Sequence, residues 1–306
     1  MPRELRSSLL SVLACPTCKA SLTRHGETLA CPSGSHEFPI VRGIPRFVES
    51  DKYVGSFSFE WNTHKTTQLD TFRQDGSSED IFSKKTGFKP EDLRGKLVLD
   101  AGIGAGRFTD IMARWGANVI GIDLSYAVEA AQENFRSREN VLVAQADIAH
   151  LPFKPETFDA IVSIGVLHHT PDTKKYFQAL VPYVRRGGTI AIWVYPAEGD
   201  FVTRKQWIPF TSRIPDRMFY EWCRWFVLFA HRRPNSLLVR CIGRVFPFSR
   251  QGLGLENDIL DTFDGYSPRF HGIHTPEEVA AWFDEAGLVD VRIPGPWNTS
   301  MRGVRP

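Results

Sequence analysis

The segment Leu97-Val-Leu-Asp-Ala-Gly-Ile-Gly-Ala-Gly-Arg107 runs from an apolar strand pattern through three alternating glycines into a helix pattern that starts near Arg107. Gly102, Gly104 and Gly106 lack the Cβ atoms that would hold a ligand off the backbone. The helix start behind them offers free N–H groups and a partial positive charge, a setting for a carboxylate or phosphate. Asp123 closes the next apolar run 21 positions after Gly102. A carboxylate there accepts hydrogen bonds from ribose hydroxyls, so the turn reads as a nucleoside-cofactor loop.

A second group of residues has metal-ligand spacing. Cys15-Pro-Thr-Cys18 is followed by Cys31 and His36, giving C-x2-C, twelve residues, then C-x4-H. Thiolates and an imidazole at this spacing predict a tetrahedral zinc site that closes a small module too short to fold on its own core. A site closed by four protein ligands keeps no open position, so no catalysis is assigned to it.

A third group comprises His168 and His169, which follow the fourth apolar run, where the side chain best suited to proton transfer near neutrality meets the ligand edge of an open sheet. One of them is a candidate base. The other role for the pair is to shape the loop and cap the helix after Thr170-Pro-Asp172. Tyr266, His271 and His274 are candidates for an acceptor pocket, or simply loop residues.

The elements that must position these groups are visible as periodicity. Leu97–Leu99, Val119–Ile122, Val141–Val143, Ala160–Val162 and Ile190–Val194 alternate with helix-length segments, which predicts α/β architecture with a parallel sheet covered on both faces. Thr275-Pro-Glu-Glu278 is a capping box, its helix ends at Gly287, and a strand follows over Leu288–Ile293. Residues 1–48 read as the zinc module, 49–95 as a connecting helical segment, and 96–306 as the main domain interrupted by a helical insertion at about 196–257.

The 306 residues are 42% hydrophobic, enough for a large core, and 37 Lys+Arg against 35 Asp+Glu leave a net charge of +2. Whole-chain charge therefore gives no argument for nucleic acid. No signal peptide and no membrane-spanning run is read, and with five Cys, three of them in the metal cluster, a disulfide framework is not expected. These features predict a cytoplasmic protein.

Three details then narrow the cofactor to S-adenosylmethionine: Asp100 directly before the turn, Gly-x-Gly-x-Gly rather than Gly-x-Gly-x-x-Gly, and Gln145-Ala-Asp147 after the third run. With Leu151-Pro-Phe153, the run Phe158 to His169 and Gly187-Gly-Thr189, this series resembles a class I S-adenosylmethionine-dependent methyltransferase, similar to the ubiquinone and menaquinone C-methyltransferase group. The similarity covers about 95–195 and 275–295. It implies a Rossmann-like sheet of seven strands. It further implies cofactor contacts at Asp100, Gly102, Gly104 and Gly106, at Asp123 on the ribose, at Asp147 with Ile148 on the adenine, and at Leu124 and Ile164. Residues around Leu13-x-Cys-Pro-x-Cys and Phe38 to Phe47 resemble the zinc-binding module related to the methyltransferase activator Trm112. That family's second C-x2-C is absent here, with Gly34 at the expected place, which leaves His36 as fourth ligand and also permits a degenerate, metal-free module.

Between Thr203 and Arg250 ten Lys/Arg face two acidic residues, Asp216 and Glu221, and aromatics are interleaved, among them Trp207, Phe210, Phe219, Tyr220, Trp222, Trp225, Phe226 and Phe229. Phe219, Trp222, Phe226 and Phe229 share a helical stripe, expected to pack as a lid that walls the acceptor pocket. The stretch also suits contact with a membrane surface or a lipid-like substrate, and less well RNA. The leading reading is methyl transfer to a small-molecule or lipid-like acceptor. The alternatives are an RNA base methyltransferase of the ribosomal RNA guanine type and a non-catalytic cofactor-binding scaffold that recruits a partner through the zinc module.

Overall fold

The computed structural model describes residues 7–34, 36–50, 53–250 and 252–306. The chain begins with the helical turn α1 (Ser7–Leu10) and four short strands, β1 (Thr23–His25), β2 (Thr28–Ala30), β3 (Glu37–Val41) and β4 (Ile44–Pro45), paired antiparallel in chain order. Four helices follow: α2 (Gly55–Thr63), α3 (Asp70–Arg73), α4 (Ser77–Thr86) and α5 (Pro90–Leu93).

The strand and helix alternation comes next, with β5 (Leu97–Ala101), α6 (Arg107–Arg114), β6 (Asn118–Asp123), α7 (Ala127–Phe135), β7 (Val141–Gln145), β8 (Phe158–Ile164), α8 (Thr173–Leu180) and β9 (Val184–Trp193). Four helices then interrupt it: α9 (Gly199–Thr211), α10 (Asp216–Arg232), α11 (Leu237–Val245) and α12 (Leu255–Asp264). The chain closes with α13 (Pro276–Glu285), β10 (Val289–Arg292) and β11 (Ser300–Val304).

The large sheet has seven strands in the order β10-β11-β9-β8-β5-β6-β7. Its five strands from β9 to β7 are parallel, and Leu99, Ile120 and Ile161 on them are fully buried, as a sheet covered on both faces requires. Burying each such side chain contributes roughly 2 kcal/mol. One edge of the sheet departs from the parallel arrangement of the five expected strands. β11 runs antiparallel to both β9 and β10, because only the short loop 293–299 joins β10 to β11, and no crossover helix is available to return the chain in the same direction. β11 itself leaves no periodic signal in the sequence, since Arg302 and Gly303 break its apolar pattern.

The chain passes from β5 outward to β6 and β7, then returns to the other side of β5 with β8 and β9. That reversal opens a crevice at the carboxyl ends of β5 and β8, the place where open α/β sheets bind ligands. The N-terminal strands do not stand apart from this sheet. Leu9, Leu13, Leu29 and Ile40 belong to the same buried cluster as Leu99, Leu142 and Phe153. Lys19 Nζ donates to the Leu151 carbonyl and the Tyr183 hydroxyl, both at 2.8 Å, and the Phe47 amide donates to the Gln145 carbonyl at 2.8 Å.

Candidate functional site

A cavity of 480 Å³ occupies the crevice. Its sheet side is formed by Gly102, Gly104, Asp123, Leu124, Asp147, Ile148 and Ile164, seven of the nine positions expected to meet a cofactor. The Asp123 carboxylate accepts from the Gly104 amide at 3.0 Å and from the amide and hydroxyl of Ser125 at 2.8 and 2.6 Å. It therefore clamps the glycine turn to the end of β6. Burial raises its pKa above the usual carboxylate range, and these three donors oppose that shift. Asp147 starts a short 3-10 turn, accepting from the Ala149 amide at 2.9 Å.

The two other positions do not reach the cavity wall. Asp100 is buried behind the turn, where it accepts from the Thr109 hydroxyl at 2.6 Å, and desolvation lifts its pKa to about 7. Gly106 initiates α6 at φ 99°, and a Cβ there would stand 2.1 Å from the Phe135 ring. Gly102 likewise has φ 95°, with a Cβ colliding with Val166 at 2.3 Å. A Cβ at Gly104 would likewise stand 3.1 Å from the Trp61 ring, so all three glycines admit protein side chains close to the turn.

The paired histidines separate. His169 is on the cavity wall, while His168 lies behind it, stacked on Tyr195 with ring centroids 3.6 Å apart and neither ring nitrogen hydrogen-bonded among the described residues. A carbonyl can only accept, so the 3.0 Å contact of His169 Nδ1 with the Phe270 carbonyl puts the proton on Nδ1 and leaves Nε2 a buried, unpartnered lone pair. Burial brings the His169 pKa down to about 4. The capping role belongs to neither histidine: Asp172 accepts from the Lys175 amide at the start of α8. Tyr266, expected near an acceptor, is fully buried with its hydroxyl on the Pro247 carbonyl. His274 accepts from or donates to the Thr173 hydroxyl, and His271 packs 5.0 Å from the Tyr195 ring; none of the three lines the cavity.

The far side of the cavity holds residues that periodicity did not single out. Glu60 of α2 is completely buried, lines the cavity, and has no hydrogen-bond partner on either carboxylate oxygen among the described residues. Desolvation, with Asp264 and Asp261 adding like charge, raises its pKa well above the normal carboxylate value. Lys85 of α4 is buried with Nζ 3.0 Å from the Trp193 ring centroid, and desolvation lowers its pKa well below that of a free lysine. Arg204 of α9 and Asp261 and Asp264 of α12 complete this side, with the Tyr195 hydroxyl donating to Asp264 at 3.0 Å. A glutamate set among Phe57, Phe59 and Trp61 in α2 was the available signal.

The insertion therefore contributes to the cavity through Phe201 and Arg204, and α12, which runs on past the expected end near 257, adds Leu260, Asp261 and Asp264. The α10 stripe expected to form its wall supplies none of the lining residues. Phe219 and Phe226 point instead into a separate core with Phe246, Phe248 and Phe263, and Trp222 is 42% exposed.

In the N-terminal strands, one ligand atom each from Cys15, Cys31 and His36 lies within 4.8 Å of the others. Cys18 Sγ is 3.3 Å from Cys31 Sγ, and no disulfide joins these cysteines. The Ser33 hydroxyl, 3.0 Å from Cys31 Sγ, pulls that thiol down to about 6. Three thiols and an imidazole converging without a disulfide fit a structural zinc ion in donor chemistry and number.

Residues 99–192 match the family model described as a methyltransferase domain, and residues 6–43 match that of the Trm112p-like protein. The chain is 36% identical over 112 residues to a ubiquinone biosynthesis O-methyltransferase of Paracidovorax citrulli, covering 34% of this chain and 43% of that one. It is 35% identical over 101 residues to a demethylmenaquinone methyltransferase of Thermobifida fusca, covering 32% and 43%. The chain thus spans less than half the length of these curated relatives. Among solved structures, the magnesium protoporphyrin IX methyltransferase of Synechocystis PCC 6803 aligns at 17% identity and a TM-score of 0.48, over 84% of this chain and 98% of that one. The complex of the Haloferax volcanii Trm112 activator and a methyltransferase aligns at 14% and 0.46, over 82% and 97%. The chain carries a methyltransferase domain behind a Trm112p-like module.

Proposed function

We propose that this methyltransferase domain, with its Trm112p-like module, transfers the methyl group of S-adenosylmethionine to a heteroatom of a small-molecule acceptor that carries a polar group. The observation that supports this most directly is the continuity of one cavity. The glycine turn, Asp123 and Asp147 form one side, and Glu60, Lys85, Arg204 and Asp264 form the other, so a cofactor and a second ligand would share one continuous space.

The residues fit the cofactor. Asp123 and Asp147 offer carboxylates to hydroxyl and amino donors, Leu124, Ile148 and Ile164 supply an apolar wall, and the Trp61 ring stands over Gly104 where a sulfonium would be met by a π face. Arg107, also on the wall, suits the methionine carboxylate. When bound, S-adenosylmethionine supplies an electrophilic methyl, and displacement at that carbon needs chiefly alignment and exclusion of water.

The chain's own residues would do the rest. Glu60 is placed on α2 between Phe57, which packs 5.1 Å from His169, and Trp61, which covers Gly104. Its two unpaired oxygens gain a partner when a hydroxyl or amine enters. The His169 Nε2 lone pair is a second acceptor for a hydrogen bond from such a group.

The test is incubation with methyl-labelled S-adenosylmethionine and separate small-molecule, lipid and RNA fractions of a cell extract. Label entering the small-molecule or lipid fraction supports the reading. Label in RNA, or no binding of S-adenosylhomocysteine by titration calorimetry, overturns it.

A further inference from the structure

The helices of the insertion bury one apolar set and leave another outside. On α10, Phe219, Cys223, Phe226 and Val227 are buried, whereas Met218, Trp222 and Trp225 are 64%, 42% and 62% exposed. Positions 218, 222, 225 and 229 recur at three- and four-residue steps, so these residues form one strip along the helix, with Trp225 stacked on Phe229 at 5.8 Å. On α11 only Val239 is buried, and Leu237, Leu238 and Val245 face out at 75%, 53% and 57%. The two outward strips meet α9 at an apolar groove of 680 Å³ whose walls include Phe210, Met218, Trp222, Cys241 and Val245. A soluble surface of this composition marks a docking face.

Charge identifies the occupant. From 203 to 250 the chain carries ten Lys/Arg and two acids. Arg217, Arg232, Arg233, Arg240 and Arg244 are exposed and form no ion pair among the described residues. Helical spacing sets Arg240 and Arg244 directly alongside the Leu237, Cys241 and Val245 line. A second copy of this face would bring two cationic surfaces together, so self-association is disfavoured. The groove walls are almost wholly apolar and offer no hydrogen-bonding groups to a base edge, which disfavours RNA. Apolar side chains at acyl depth with guanidiniums at phosphate depth match the headgroup boundary of an anionic bilayer. No helix among the described residues is long and apolar enough to cross a membrane, so the contact is with the surface.

We propose that the outer faces of α10 and α11 dock this protein onto an anionic phospholipid bilayer, with Met218, Trp222, Trp225 and Leu237 inserted and the flanking arginines on lipid phosphates. The inference stands on this surface alone and is independent of the methyl-transfer reading.

The experiment is flotation of the full chain with vesicles of phosphatidylcholine alone or mixed with phosphatidylglycerol. The expected result is binding to the mixed vesicles, weakened by added salt, and little binding to phosphatidylcholine alone. Each arginine at the surface contributes about fivefold, so Arg240→Glu with Arg244→Glu should weaken binding by at least about 25-fold. Met218→Ser with Trp225→Ser should weaken it at least about tenfold without shifting the circular dichroism spectrum, since both side chains are largely outside the core. No binding to the mixed vesicles, or binding indifferent to both double variants, overturns the proposal. So does a dimer in light scattering that the same variants dissolve, or binding confined to RNA.

Discussion

The Arg46 guanidinium donates to the Gln145 side-chain oxygen at 2.9 Å, and the amide of the same Gln145 side chain donates to the Leu124 carbonyl at 2.9 Å. Arg46 also pairs with Glu129 at 3.0 Å while itself nearly inaccessible. The segment that leaves the N-terminal strands is thus tied, through one glutamine, to the cavity-wall residue Leu124.

Replacing Arg46 by Ala should therefore loosen the cofactor wall from a distance. Leaving Gln145 and Glu129 without their buried donor costs about 2 kcal/mol of stability. Affinity for S-adenosylhomocysteine should fall roughly tenfold, a change of about 1.4 kcal/mol. Titration calorimetry below the variant's melting temperature separates the two, and unchanged affinity would show that the connection is structural only.

Asp123→Ala removes the clamp on Gly104 and the proposed ribose acceptor together. A charge-assisted hydrogen bond contributes about 1.5 to 3 kcal/mol, so affinity for S-adenosylhomocysteine should drop at least about tenfold. Asp100→Asn, behind the wall, should do less. Equal effects of the two would contradict the placement of Asp123 on the wall.

His169 should stay neutral, with its proton on Nδ1, to about pH 4. Nitrogen NMR of the imidazoles reads both tautomer and titration. Its folded pKa lies below the unfolded value, so the stability it contributes is present above the unfolded pKa and is lost as the pH falls toward about 4. A His169 resonance titrating like a free imidazole would contradict this.

Asp264 behaves in the opposite sense. Burial raises it to about 6, so the fold binds a proton that the unfolded chain has released, and the contribution is lost as the pH rises through about 6. Asp264→Asn keeps an acceptor for the Tyr195 hydroxyl and removes the charge. Measured against the parent by thermal unfolding, the variant should gain relative stability between about pH 4 and about pH 7, the span from an ordinary aspartate's titration to above the raised one. A constant difference would show that Asp264 is not desolvated.

Chelating the zinc should destabilise the whole chain, not the first strands alone, because Leu13, Leu29 and Ile40 share a core with the large sheet. Elemental analysis should find about one zinc per chain, and Cys31→Ser should lower the single melting transition. A chain free of metal with an unchanged transition would show that the module folds without zinc.

What the residues alone determined was whatever is local or periodic. The five parallel strands, the glycine turn into α6, the capping box at Thr275 and the C-x2-C, C-x4-H spacing all depend on neighbours within a few residues or on a repeating step, so they are legible in the order of residues along the chain. Tertiary structure alone decided the rest. Glu60, Lys85, Arg204 and Asp264 come from four helices spread over more than two hundred positions, and each became notable only when packing removed it from water. The same holds for His169 over His168, for the antiparallel β11, and for the side of α10 that faces out. Desolvation and direction are set by what packs against a side chain, and spacing along one chain does not specify that partner.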